Sequence, residues 1–268
     1  MLAGSTLALL RVDDPALQAQ QDILRCIKRV LALQCVYVTG CCQRTLSVAK
    51  GKLAAAGRQK RPSDRSWPAQ ELVIGFIGCG LIGGAIAHSL LDAGVMASSL
   101  IISTRSPKRQ LELSRRGARV LFDNASVVDA AHVVVLSVLP SQLADATREL
   151  RGRLSPHTLV LSVVGGTPVA RLRSLLGLAD TPAAVLPLGA EAALPLLHAE
   201  HKASPSPLAD RELVQLAARA LLPDREAVSA LLSALGTVVN GVELPAATPL
   251  RDVCLEALFG PKPAEARA

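Results

Sequence analysis

Residues 71–94, ELVIGFIGCGLIGGAIAHSLLDAG, constrain the fold more than any other stretch of this chain. The apolar run Leu72–Ile77 has the length and composition of a buried strand, and a helix-like apolar stretch follows it and stops at Gly94. Between them stand Gly78, Gly80 and Gly83, spaced Gly-x-Gly-x-x-Gly. In a strand–turn–helix unit the first glycine permits a tight turn, the second lets backbone approach a pyrophosphate, and the third lets helix and strand pack closely. A helix opening at Leu81 aims its free N–H groups and the positive end of its dipole at that anion. The glycine spacing alone carries little in a chain with 19 glycines. The strand before it and the helix after it carry the argument.

The same rhythm continues downstream. Apolar runs of strand length, LVIGFIG, SLIIS, HVVVLSV, TLVLSVV and AAVLPL, alternate with stretches long enough for crossover helices. This predicts an α/β chain with a Rossmann-type doubly wound parallel sheet. Upstream, Leu17, Ile23, Leu24, Ile27, Val30 and Leu31 recur near a 3.6-residue period after Asp13, Asp14 and Pro15, so a helical extension precedes the sheet. The expected organisation is a helical N-terminal region at 1–57, a basic linker at 58–70, the Rossmann domain at 71–244 and a C-terminal tail at 245–268. Within the last third, 198–210 reads as a loop and 224–236 as a helix ending at Gly236. TVVNGVEL, from Thr237, reads as a short strand or turn, and ELVQLAARALL fits helix and strand equally.

Composition excludes several alternatives. Phe, Trp and Tyr make up 2% of the chain, too few to build stacking platforms for single-stranded nucleic acid. The net charge of +7 favours anionic partners without choosing among them, so nucleic acid, through Lys60, Arg61 and Arg65, ranks last. The six cysteines lack paired C-x-x-C spacing, which argues against zinc and for a reducing compartment. His88 and His132 fall in a helix and at a strand start and read as structural, while His157, His198 and His201 fall in loops without metal-ligand partners. The opening MLAGSTLALLRVDD is too short to span a bilayer and lacks a basic leader, so the reading is cytoplasmic, with mitochondrial import second.

The end of the second strand selects the nucleotide. An NAD-binding unit places a carboxylate about twenty residues beyond the glycines, where it accepts from the ribose hydroxyls. Here IISTRSPKRQ holds Ser103, Thr104, Arg105, Lys108 and Arg109 instead, hydroxyl and cationic donors suited to a 2′-phosphate. The expected cofactor is NADP(H). Other strand ends add Asn124, SVLPSQ at 137–142 and SVVGGTP at 162–168, where Gly165 and Gly166 would keep side chains out of a narrow space.

Together VIGFIGCGLIGGAIAHSLLDAG, IISTRSPKRQLELSRRGARVLFDNASVVDAAHVVVLSVLPSQL and LVLSVVGGTPVARL resemble the cofactor domain of pyrroline-5-carboxylate reductases. The resemblance covers about residues 71–244 and is strongest from 72 to 172. It implies that Gly78, Cys79, Gly80, Leu81 and Ile82 hold the pyrophosphate and that Ser103, Thr104 and Arg105 hold the 2′-phosphate end. Asn124, Val138 and Leu139 would meet the adenosine and nicotinamide. The implied reaction is hydride transfer from NADPH to the C=N carbon of a cyclic imino acid, as in proline biosynthesis. A prephenate dehydrogenase resemblance in GLIGGAIA is weaker, because the acidic ribose ligand and the catalytic His domain are missing.

The departures from the reductase pattern shape the second expectation. The family's Val-Lys-Pro is Val138-Leu139-Pro140 here, and its Asn-Thr-Pro turn is replaced by VLPLGAEAAL. Its C-terminal helical domain, with a Ser-Gly-Ser-Gly-Pro substrate loop and dimer interface, has no counterpart in this sequence. No catalytic residue is singled out. The alternative is therefore a non-catalytic NADP-binding module that works with a protein partner or as a homo-oligomer.

Overall fold

The computed structural model describes residues 15–55, 72–178, 183–190, 210–239 and 249–259. The basic linker, His198 and His201 lie outside these residues. Six parallel strands form one sheet in the order β3-β2-β1-β4-β5-β6. They are β1 (Ile74–Ile77), β2 (Leu100–Ser103), β3 (Arg119–Leu121), β4 (Val133–Leu136), β5 (Leu159–Ser162) and β6 (Ala184–Pro187). Strand β1 pairs on both sides, with Ile74 opposite Leu100 and Val133, and Ile77 opposite Ser103 and Leu136. The expected doubly wound sheet is what forms.

Side chains alternate between the two sheet faces, and each face has its own cover. Ile74, Phe76, Ile102, Val135 and Leu161 point into one core with α1 (Pro15–Ala55), α2 (Leu81–Asp92), α8 (Arg225–Val239) and α9 (Leu250–Phe259). Ile77, Ile101, Val134, Leu136 and Val160 point into the other, under α4 (Asn124–Ala130), α5 (Leu143–Arg148) and α6 (Val169–Leu176). Between β2 and β3 lies the short α3 (Leu111–Arg115), and α7 (Asp210–Leu221) packs on α1. The strands read as continuous apolar runs because both faces are covered.

The long N-terminal helix is a layer of this same core. Leu31, Cys35, Val38, Cys42, Leu46 and Ala49 form a buried stripe at helical spacing in the same core as α2 and the sheet, while Val30 packs with Leu216 and Ala217 of α7. Each large aliphatic side chain buried there contributes on the order of 1.5–3 kcal/mol. Leu17 and Leu24, part of the apolar pattern seen in the sequence, are exposed instead, and packing against the core takes hold near Ile27. The four core thiols on these helices, Cys35, Cys41, Cys42 and Cys254, are free, and burial raises all of them above the ordinary thiol range. They fill space rather than react.

The stretch ELVQLAARALL, open between helix and strand in the sequence, is helical through Leu221 as part of α7. Two other stretches depart from expectation. Helix α8 continues through Gly236 to Val239, so Thr237 to Val239 are helical rather than a strand or turn. The physical reason is contact: a Cβ at Gly236 would come within 3.2 Å of Leu250, and Thr237, Val238 and Val239 are buried, so glycine serves close packing there and not helix ending. Within the stretch read as a tail, Leu250–Phe259 forms α9, which packs against α1 and α8. Among the described residues no helix is long and apolar enough to cross a membrane.

Two outcomes follow from this packing. At Gly75 in β1, an added Cβ would stand 2.6 Å from Val127 Cγ1 on α4 and 2.8 Å from Cβ of Ala131, which caps that helix. Gly75→Ala should therefore lose about 1–3 kcal/mol in urea denaturation, and a loss under about 0.5 kcal/mol would show that α4 yields freely. His132, buried at the start of β4, accepts the Val73 N–H at Nδ1 (2.7 Å), and burial, aided by the Lys50 charge, lowers its pKa to about 4. Below the ordinary 6.5 the unfolded chain takes up a proton that the folded chain refuses, so stability should fall as pH drops from 6.5 to about 4. His132→Asn, which keeps an acceptor but does not titrate, should flatten that decline. Equal slopes in the two proteins would count against this role.

Candidate functional site

The sheet reverses its winding at β1, where β2 and β3 lie on one side and β4 to β6 on the other. Such a switch point leaves a crevice beyond the carboxyl ends of the strands. A cavity of about 990 Å³ occupies it. Its floor is the turn from β1 to α2, and its walls come from the ends of β2, β3, β4 and β5.

The glycine turn is built as its spacing requires. Gly78 has φ +83, and a Cβ there would also stand 2.8 Å from Val138 Cγ1, so only glycine fits without strain. Gly83 lies in the first turn of α2, where a Cβ would collide with Ser137 Oγ and come within 3.0 Å of the Gly78 carbonyl. Ser137 Oγ donates to that carbonyl at 2.7 Å, locking the start of the post-β4 loop to the turn. Gly80 is different. A Cβ there would meet no protein atom within 4 Å, and the residue is exposed to the cavity it lines. Protein packing thus accounts for Gly78 and Gly83, while open space faces Gly80.

Helix α2 begins with Gly80 as its N-cap, without a side-chain cap and without an acid in the first turn. Its leading N–H groups and dipole therefore offer a positive end beside the open space at Gly80. Cys79, between the two glycines, is a poor nucleophile because burial pushes its thiol up to about 12.

From the end of β2, Ser103, Thr104, Arg105, Ser106 and Arg109 line the same cavity. Ser103 and Thr104 are buried and Arg105 is exposed. Ser103 Oγ donates to Asn124 Oδ1, and Asn124 Nδ2 donates to Glu149 Oε2 at 3.3 Å, so β2, α4 and the end of α5 are tied across the cavity wall. Asp123 caps α4 by accepting from the N–H groups of Ala125 (3.0 Å) and Ser126 (2.9 Å), which places Asn124 at the first helical position. On the other wall stand Val138, Leu139 and Val163.

Of the residues proposed from sequence, Gly78, Cys79, Gly80, Leu81, Ile82, Ser103, Thr104, Arg105, Asn124, Val138 and Leu139 share this one cavity. Lys108 is exposed on the 3-10 turn Pro107–Gln110 and does not line it; its neighbour Arg109 does. Gly165 and Gly166 border no narrow space, since a Cβ at either meets nothing within 4 Å; Gly166 is needed for its φ of +68 in the turn after β5. Sequence reasoning placed Ser137 at the crevice only as part of the strand end 137–142, without its role against Gly83, and it did not single out Gln110, Phe122 or Glu149. Ser137 is the residue after β4 and could have been found as the partner facing the third glycine. Among the described residues, no group of His, Cys, Asp and Glu could hold a metal.

Comparison with known proteins bears on this geometry. Residues 73–166 match the family described as NADP oxidoreductase, coenzyme F420-dependent. The chain is 41% identical over 106 residues to mouse NADP-dependent oxidoreductase domain-containing protein 1, covering 39% of this chain and 29% of the relative. It is 35% identical over 120 residues to pea pyrroline-5-carboxylate reductase, covering 42% of this chain and 44% of that protein. The chain thus spans less than half the length of these curated relatives. A solved pyrroline-5-carboxylate reductase from Coxiella burnetii aligns at 17% identity with TM-score 0.41, over 65% of this chain and 100% of that one. The segment that builds the crevice, residues 73–166, is thus similar to an NADP oxidoreductase domain and, in part, to pyrroline-5-carboxylate reductases.

Proposed function

We propose that the crevice binds NADP(H) and that the chain serves an oxidoreductase of the pyrroline-5-carboxylate reductase kind, reducing the C=N bond of a cyclic imino acid. The observation that carries this reading is the pairing of open space at Gly80 with hydroxyl and cationic groups at the end of β2, in one cavity. The residues present fit the cofactor. The turn Gly78–Ile82 would take the pyrophosphate against the uncapped start of α2, and Thr104 and Arg105 would take the 2′-phosphate, with Arg109 beside them and Ser103 holding the wall through Asn124. No carboxylate stands among Ser103 to Arg109 to favour free ribose hydroxyls.

When bound, the cofactor supplies the hydride; the protein's work is to bind, orient and exclude water. Val138, Leu139 and Val163 would offer an apolar wall to the nicotinamide. Asp145, which also lines the cavity, is paired with Arg148 at 2.7 Å, and Glu149 is held by Asn124. Both carboxylates therefore have partners that temper their repulsion of phosphate.

A second reading is a non-catalytic NADP-binding module. Leu139 supports it: the side chain is 61% exposed at the cavity, where the resembled family carries a lysine. Purified chain that binds NADPH saturably but does not oxidise it with pyrroline-5-carboxylate or related cyclic imines would favour this second reading. Turnover with those imines would favour the first.

Two substitutions test cofactor binding. Arg105→Ala should raise the NADPH dissociation constant about 10- to 100-fold, the worth of a charge-assisted contact, and leave NADH within about twofold. An equal loss for both nucleotides would refute the 2′-phosphate assignment. Gly80→Ser should change unfolding free energy by less than about 1 kcal/mol, since serine is a good helix cap in open space, yet should weaken both nucleotides severely. Unchanged affinity would mean that the open space at Gly80 is not where the pyrophosphate lies.

A further inference from the structure

We infer that Gln110 is a positioning residue that couples the 2′-phosphate end of the crevice to the glycine turn. This rests on the NADP(H) reading above and adds a residue that neither the glycine spacing nor the basic loop identifies. Gln110 closes the 3-10 turn Pro107–Gln110 and is only 9% exposed, uncommon for a long polar side chain. Its Nε2 donates to the Cys79 carbonyl at 2.6 Å, across 31 positions of sequence.

That carbonyl belongs to the peptide joining Cys79 to Gly80. A trans peptide is planar and holds its C=O and N–H on opposite sides, so an amide donor fixed on the carbonyl also fixes the direction of the Gly80 N–H. No side chain caps α2, so a cap does not set this peptide's orientation. The last backbone link between the two strand ends is Gly78 N–H to Ser103 O at 3.0 Å. Gln110 adds a link one residue further out, at the point where the strands have separated.

The other end of the link is the basic loop. Ser106 N–H donates to Thr104 Oγ1 (3.2 Å) and Arg109 N–H to Ser106 O (3.0 Å), so the segment from Thr104 to Gln110 is tied internally. Arg105, Arg109 and Gln110 then move as parts of one segment whose distance from the glycine turn is set by the Gln110 bond. A nucleotide with a 2′-phosphate grips both sides of that bond. A nucleotide without one grips chiefly the turn. Gln110 accordingly controls NADPH affinity more than NADH affinity, although it carries no charge.

The test is a double-mutant cycle on the full chain, titrated with NADPH and NADH by calorimetry. Gln110→Met keeps length and volume but removes the donor; Gln110→Asn keeps the amide and withdraws it by one methylene. Each should raise the NADPH dissociation constant up to roughly tenfold, the worth of one neutral hydrogen bond, with a smaller rise for NADH. In an Arg105→Ala background the excess effect on NADPH should shrink, because the loop has lost its main grip on the 2′-phosphate, and an undiminished excess would count against coupling through the loop. Lower thermal stability with an unchanged NADPH to NADH ratio in both variants would overturn the inference alone and leave a purely structural glutamine. Failure of the unaltered chain to bind either nucleotide would overturn the cofactor reading and this inference with it.

Discussion

The site depends on one close approach. Chain leaving the central strand at Gly78 must turn into α2 while β4 stays hydrogen-bonded alongside, which brings Gly83 against Ser137 with no room for a Cβ. The Ser137 hydroxyl then bonds the Gly78 carbonyl and makes the two strand exits one unit. The start of α2 is thereby held where Gly80, Leu81 and Ile82 line the crevice. The proposed pyrophosphate site follows from where that helix begins.

The layers behind the crevice keep this geometry stiff. Strand β1 is paired on both sides and buried along its whole length, with Gly75 pressed against α4 on one face and Phe76 facing α1 and α2 on the other. The N-terminal helix, which reads as a separate region in the sequence, is one of the elements that supports α2 from behind. At the rim the chemistry changes. Leu81, Phe122 and Leu139 line the cavity and are 73%, 75% and 61% exposed. The floor is pre-formed backbone, and the mouth is apolar side chain with room to adapt to a ligand.

Much of this was legible in the sequence because local rules and the fold agree. Leu72 to Ile77, Gly78, and Leu81 onward follow strand, turn and helix patterns that depend only on neighbouring residues, and the absence of a carboxylate after Ser103 can be read directly. What was not legible depends on distant contacts. Gly236 resembles a helix stop until Leu250 is seen beside it, and Gln110 resembles a surface residue until the Cys79 carbonyl is seen 31 positions away. Lys108 and Arg109 look interchangeable in a basic run, yet a 3-10 turn points successive side chains about 120° apart, and only Arg109 reaches the cavity lining. Leu17 and Leu24 satisfy the helical period but extend beyond the part of α1 that meets the core.

The most direct test of the account is a crystal structure of the full chain grown with NADPH. The account predicts pyrophosphate density against Gly80 and the first N–H groups of α2, and the 2′-phosphate beside Thr104 and Arg105. Nucleotide density elsewhere on the protein, or a 2′-phosphate pointing away from Arg105 into solvent, would contradict it.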